Sequence, residues 1–150
     1  MSDSFEKKVI CIFVSSTFID MEVERDIINN VILNQLREDF AEMNTDIHFI
    51  DLRWGINTID VADTFKRNEK ILKVCISEIE RCNPYFIGLF GKRYGWTPDN
   101  ELLYSCILKD DMERCKRFFS NDDISVTALE TYYALIKKDF EIDKCFICQR

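Results

Sequence analysis

IFVSSTFIDMEVERD, residues 12–26, passes from an apolar run through hydroxyl residues to an acid- and arginine-bearing segment within a few turns of chain. The run reaches back to Val9, and VICIFV (9–14) reads as a strand buried on both faces, as in a parallel sheet. Beyond it, Ile27, Ile28, Val31, Ile32, Leu36 and Phe40 recur at helical spacing between Asp20 and Phe40, with acids early where the helix dipole favours them. Thr17 followed three residues later by Asp20 resembles a capping box for that helix. The stretch therefore reads as a strand-to-helix corner.

The same alternation continues outward. IHFIDL (47–52) reads as a second strand, and 56–66 as a loop without a clear period. Ile71, Leu72, Cys75, Ile79 and Cys82 mark an amphipathic helix that stops before Asn83-Pro84. YFIGLF (85–90) is a third strand, leaving through GKRYGW. Residues 97–124 read as polar and irregular, with a short helical piece around Leu102–Phe119. A third helix begins near Ser125 and carries Val126, Leu129, Tyr133 and Ile136 inward, and CFIC (145–148) closes as a fourth strand. Strands alternating with helices demand right-handed crossovers and a parallel sheet. The expected fold is α/β, three-layered and flavodoxin-like. No helix follows to cover the last strand, so the chain reads as a fragment of a longer polypeptide.

Composition bounds the function classes. One domain's worth of chain, 150 residues with 47% hydrophobic and 31% charged, can bury a core and is too apolar for disorder. A net charge of −7 argues against nucleic-acid binding and against an anionic membrane surface. The polar start MSDSFEKK and the lack of a long apolar run suggest no signal peptide and no membrane span. Seven cysteines without scaffold spacing point to free thiols in a reducing, cytoplasmic setting.

In an open α/β sheet, ligands bind outside the carboxyl ends of the strands, and the polar residues collect there. Ser15, Ser16, Thr17 and Asp20 follow the first strand, with Arg25 on the helix behind them. Asp51, Arg53 and Trp54 follow the second, and Gly91, Lys92, Arg93, Tyr94 and Trp96 the third. Asp51 and Arg53 lie on one side of an extended chain and pair with each other or with Arg25. Trp54 and Trp96 read as packing residues or as stacking platforms. Glu130, in SVTALETYYAL, is either a carboxylate stabilised by the helix dipole or one that holds a ribose hydroxyl and stabilises a cationic sugar as a glycosidic bond breaks. GLFGKR (88–93) lacks the spacing of a phosphate-binding P-loop. His48, the single histidine, reads as a packed core residue. Cys145 and Cys148 sit in a strand and point to opposite faces, so no metal site is read from them.

IFVSSTFIDMEVERD, IDLRWGI (50–56), RNEKILKVCISEIERC (67–82), YFIGLFGKRYGW (85–96) and SVTALE (125–130) stand in an order and spacing that resemble the TIR-like N-terminal domain of large NACHT-type STAND proteins. The resemblance implies a TIR-type sheet ahead of a nucleotide-binding oligomerisation module and TPR or WD repeats. It implies a signalling or scaffolding module that binds protein partners or forms homo-oligomers, with no required cofactor. Some TIR domains cleave NAD with a helix glutamate, and Glu130 occupies a similar place, which makes NAD a candidate substrate. Thr127, Leu129, Glu130 and Ala134 also resemble the glutamate helix of nucleoside deoxyribosyltransferases. The approach to Glu130 reads Ser-Val-Thr-Ala-Leu where TIR NADases usually carry a Ser-x-Trp-Cys-like segment, so scaffolding is the first implication and an NAD or nucleoside N-glycosidase the alternative.

Overall fold

A computed structural model of the chain describes residues 7–17, 19–52, 62–137 and 144–150. Strands β1 (Lys8–Ser16), β2 (Thr45–Ile50), β3 (Phe86–Phe90) and β4 (Cys145–Gln149) form an all-parallel sheet in the order β2-β1-β3-β4. The expected alternation and sheet type are borne out. Register is fixed by pairs such as Phe13 with Ile50 and with Phe86, and Phe86 with Cys145. β1 is central: Phe13 and Val14 are buried in the two separate core clusters that lie on either side of it. From β1 the chain moves to one neighbour, β2, then crosses back to the other, β3. That reversal opens a crevice at the carboxyl ends of β1 and β3.

One face is covered by a continuous helical stretch made of α1 (Glu22–Ile27), a π turn (Ile28–Ile32) and α2 (Leu33–Phe40). Met21, Arg25, Ile28 and Leu33 are buried. The five-residue step from Ile28 to Leu33 is the one a π turn keeps on a single side. Ile27, Val31 and Ile32, expected inside, are exposed. The face that turns inward is the one carrying Arg25, whose hydrogen-bond partners lie at strand ends.

The opposite face holds the larger core, under α3 (Thr64–Cys82), α4 (Asn100–Cys106), α5 (Lys109–Phe119) and α6 (Val126–Leu135). α3 buries Leu72, Cys75, Ile79 and Cys82 as its spacing predicts, and Asp63 caps it by accepting from the Lys66 amide at 2.9 Å. The segment expected to be largely irregular instead forms two helices, α4 and α5. Asp99 caps the first, and Ser120, at φ 51°, ends the second in the left-handed region. Their short apolar runs, broken at Leu108, hide a regular period. α6 is buried nearly all round, as a helix between sheet and neighbouring helices must be.

His48 is not a core residue. It sits on edge strand β2 with its side chain 45% exposed, Nε2 3.3 Å from the Asp46 carboxylate. Cys75, Cys82 and Cys115 are buried, and burial pushes the Cys82 and Cys115 thiols up to about 12; Cys11, Cys106, Cys145 and Cys148 are half-buried. On β4, Phe146 and Ile147 are exposed. Among the described residues no group of side chains is placed to hold a metal ion, and no helix is long and apolar enough to cross a membrane.

Candidate functional site

The carboxyl end of β1 delivers Ser15, Ser16 and Thr17, all buried, into the crevice. Strand alternation splits them. Ser15 turns towards α6 and donates its hydroxyl to Glu130 Oε2 at 2.5 Å. Ser16 turns the other way and accepts from Arg25 Nε, while Arg25 Nη2 donates to the Ser16 carbonyl at 2.9 Å. Arg25 Nη1 donates to Asp51 Oδ1, and Asn29 donates to the other Asp51 oxygen at 3.2 Å. The Arg25–Asp51 ion pair thus ties α1 to the ends of β1 and β2. Removing one partner of so buried a pair strands the other charge. Its geometry is that of a brace between elements, although the Arg25 side chain also borders the cavity.

Thr17 and Asp20 do not form the expected capping box. Met21 occupies the cap position of α1, with no side-chain cap bond. Asp20 accepts instead from the Thr17 hydroxyl and from the Arg93 amide at 3.0 Å. The Thr17 bond, with the Arg93 amide, holds the Asp20 carboxyl below its ordinary range. Asp20 so clamps the β1 exit to the β3 exit. Gly91 is required there, since a Cβ would collide with the Asp20 carboxylate. Gly95, at φ 95°, turns the β3 exit back so that the Trp96 carbonyl accepts from the Val126 amide at 2.9 Å.

Between these loops lies a cavity of about 670 Å³. Its described lining combines an apolar floor (Phe13, Val14, Leu52, Ile71, Val126) with Ser16, Thr17, Arg93 and Glu130, and Tyr94 and Trp96 stand half-exposed at its rim. A smaller cavity of about 200 Å³ adjoins it, sharing Thr17, Arg93, Tyr94 and Thr127 and reaching Gly91 and Thr131. An apolar pocket with a few convergent polar groups at the switch point is the usual form of a small-ligand site.

Glu130 lies in the second turn of α6, beyond the reach of the first-turn dipole role considered above. Ser125 is the cap, accepting from the Ala128 amide at 3.1 Å. Burial pushes the Glu130 carboxyl up to about 7, offset in part by the Ser15 bond, the Arg25 charge and a bond with the Cys75 thiol. Burial and the adjacent Glu130 raise Cys75 in turn. Near neutrality Glu130 is therefore present both as acid and as carboxylate, on a side chain that is buried yet borders the cavity.

The crevice brings together Ser15, Ser16, Thr17, Asp20, Arg25, Asp51, Arg93, Tyr94 and Glu130. Arg53 and Trp54 lie outside the described residues. Sequence reasoning missed Cys75, read as a core position of α3, and placed Trp96 only as a packing residue or a stacking platform. The signal for Cys75 is its place midway along α3, whose contacts run to both β1 and α6.

Residues 11–142 match the family described as "Domain of unknown function (DUF4062)". The chain belongs to the DUF4062 family. Among similar proteins, a TPR repeat-containing protein of Dictyostelium discoideum is 37% identical over 138 residues, covering 87% of this chain and 8% of the relative. Telomerase protein component 1 of Rattus norvegicus is 40% identical over 89 residues, 59% of this chain and 3% of the relative. Tetratricopeptide repeat protein 41 of Rattus norvegicus is 32% identical over 103 residues, 62% of this chain and 8% of the relative. The DUF4062 chain thus spans less than a tenth of these relatives' length. No solved structure matches it.

Proposed function

We propose that this DUF4062 domain is a TIR-like protein-interaction module, a signalling or scaffolding end of a longer repeat-bearing protein that self-associates or binds protein partners. The observation that carries this reading is the exposed apolar surface left on α1, the π turn after it and β4, where Val23, Val31 and Phe146 each show more than half their area to solvent. The relatives support it, since they are named as TPR repeat proteins and a telomerase protein component. The immobilised chain tests it, by affinity capture with Glu130→Gln as the control. A defined protein partner, captured equally by both, is the expected result. An empty capture combined with NAD turnover that disappears in Glu130→Gln overturns the reading in favour of an enzyme.

A second reading, an NAD or nucleoside N-glycosidase, is favoured by the pairing of Ser15 with buried Glu130 at the cavity. Glu130 as carboxylate stabilises the cationic sugar as its glycosidic bond breaks, with Ser15 fixing the rotamer. Arg93 holds an anionic group at the junction of the two cavities, and Tyr94 and Trp96 supply aromatic faces at the rim. The measurement is release of free nicotinamide by chains held together at high concentration. No release above the Glu130→Gln background ends this reading.

A further inference from the structure

Around the smaller cavity, Thr127 differs from the other hydroxyl residues described. Thr17 donates to Asp20, Thr131 donates to the Thr127 carbonyl at 2.8 Å, and Ser125 accepts from the Ala128 amide at 3.1 Å. The Thr127 hydroxyl has no partner among the described residues, although the residue is 8% exposed. Thr127 lines both cavities, and its Oγ1 faces the β3 exit, where a Cβ on Gly95 would stand 3.3 Å from it. A buried hydroxyl left unanswered costs free energy, so one kept at a cavity wall points to a group that answers it from the cavity. Thr127 is also the second residue of α6, a helix of ten residues. The Trp96 carbonyl takes the Val126 amide and Ser125 takes the Ala128 amide, whereas the Thr127 amide between them has no acceptor among the described residues. Such a free N–H at a helix start carries the positive end of the dipole and favours an anion.

The charge at this place agrees. Among the described residues lining the smaller cavity, Arg93 supplies the only charge, and no Asp or Glu is present. Asp20 holds the Arg93 amide and lines neither cavity, while the Arg93 guanidinium has no carboxylate partner among the described residues. The Tyr94 hydroxyl accepts from Asn121 at 3.3 Å and keeps its own proton to donate. We infer that the smaller cavity is a phosphate-binding subsite held by Thr127 and Arg93, and that the ligand of the adjoining larger cavity is a nucleotide. Several donors around one positive charge suit a phosphate, with its many acceptor oxygens, better than a carboxylate. The larger cavity offers an apolar floor to the rest of such a ligand, with Tyr94 and Trp96 as aromatic faces for a base. The inference goes beyond the interaction-module reading. It rests on the larger cavity being a ligand site, as in the second reading, and not on bond cleavage at Glu130.

The test is calorimetric titration of the whole 150-residue chain with adenosine, adenosine monophosphate and NAD. The monophosphate is expected to bind about tenfold or more tighter than adenosine, the margin that a hydrogen bond to a charged group supplies. NAD separates the two sources of phosphate: tighter binding than the monophosphate assigns the subsite to a bridging pyrophosphate, and weaker binding assigns it to a terminal phosphate. Thr127→Val removes the hydroxyl and keeps the branched shape, and Arg93→Met removes the charge. Each is expected to narrow the gap between monophosphate and adenosine by about fivefold or more. Thr127→Val loses no hydroxyl bond within the chain, so its melt without ligand is expected to match the native one. Equal binding of monophosphate and adenosine, no binding of any of the three, or a gap that either variant leaves unchanged overturns the inference. So does a much lower melt of Thr127→Val, since the hydroxyl would then have a partner within the chain. Nucleoside cleavage with equal binding leaves the second reading standing without the subsite. A phosphate preference lost in both variants, with no base or nicotinamide released, keeps the subsite and ends the enzyme reading.

Discussion

α1 and α6 each bury a charge beside the same strand end, and they do so by opposite means. Arg25 on α1 meets a carboxylate, a hydroxyl and a carbonyl, so its charge is fully answered. Glu130 on α6 leans mainly on neutral donors, the Ser15 hydroxyl and the Cys75 thiol. A fully answered charge stays ionised and acts as a brace; a partly answered one hovers between forms and stays chemically available. The largest effect should come from breaking the brace. Arg25→Ala leaves Asp51 buried without its guanidinium and is expected to cost about 3–5 kcal/mol in urea denaturation. Arg25→Met paired with Asp51→Leu should recover much of that loss. If the single and double variants are equally unstable, the pair is not the brace described.

The Glu130 side of the comparison is sharpened by pH. Its folded carboxyl titrates at about 7, above the ordinary value of 4.5. Between those values the folded state holds a proton that the unfolded state has released, so stability falls as pH rises from about 4.5 through 7. The size follows from the separation, on the order of 3 kcal/mol once the group is ionised in both states. Glu130→Gln should lack this loss. Subtracting its stability from that of the native chain at each pH isolates the group, and a flat difference between pH 5 and 8 would contradict the buried, partly answered carboxyl. Asp20 has the opposite sign: its lowered carboxyl contributes stability that is lost as pH falls below the ordinary carboxylate range.

Ser125 holds α6 at the angle that aims Glu130 at Ser15, and Ser125→Ala should cost about 1 kcal/mol through the lost cap. If the Ser15 contact depends on that angle, the same change also raises the pH at which the Glu130 difference curve bends, because the Ser15 bond favours the carboxylate. This cap was legible, because a serine opening an apolar period is a local signal. So were the strands and the order of elements, which rest on periods of two and of about 3.6 residues. The Ser15–Glu130 contact was not legible as a distance, since it joins positions 115 residues apart and depends on strand order. The inward face of α1 was misread for a different reason. Aliphatics occupy two sides of its helical wheel, and only the buried partners of Arg25 and the π turn decide between them. Thr17 and Asp20 carried a capping pattern, yet the Arg93 amide from the β3 exit took the Asp20 carboxylate.

The smallest effect expected on stability belongs to the outer side of α1, and its smallness is what gives it meaning. Val23→Ser with Ile27→Ser removes two side chains that are 64% and 49% exposed. Exposed substitutions away from buried networks change stability by about 0.5 kcal/mol or less, and valine and serine differ little in helix propensity. A thermal melt close to that of the native chain is the expected outcome. A loss of several kcal/mol would mean that these side chains pack against something within the chain, and α1 would then be an ordinary two-sided core helix. A near-neutral result means that the sequence keeps a line of aliphatics in water without gaining folding stability from them. Such a line sits beside a brace worth several kcal/mol on the same helix. The inner side of α1 is therefore constrained by folding, and its outer side is free to be constrained by what it binds.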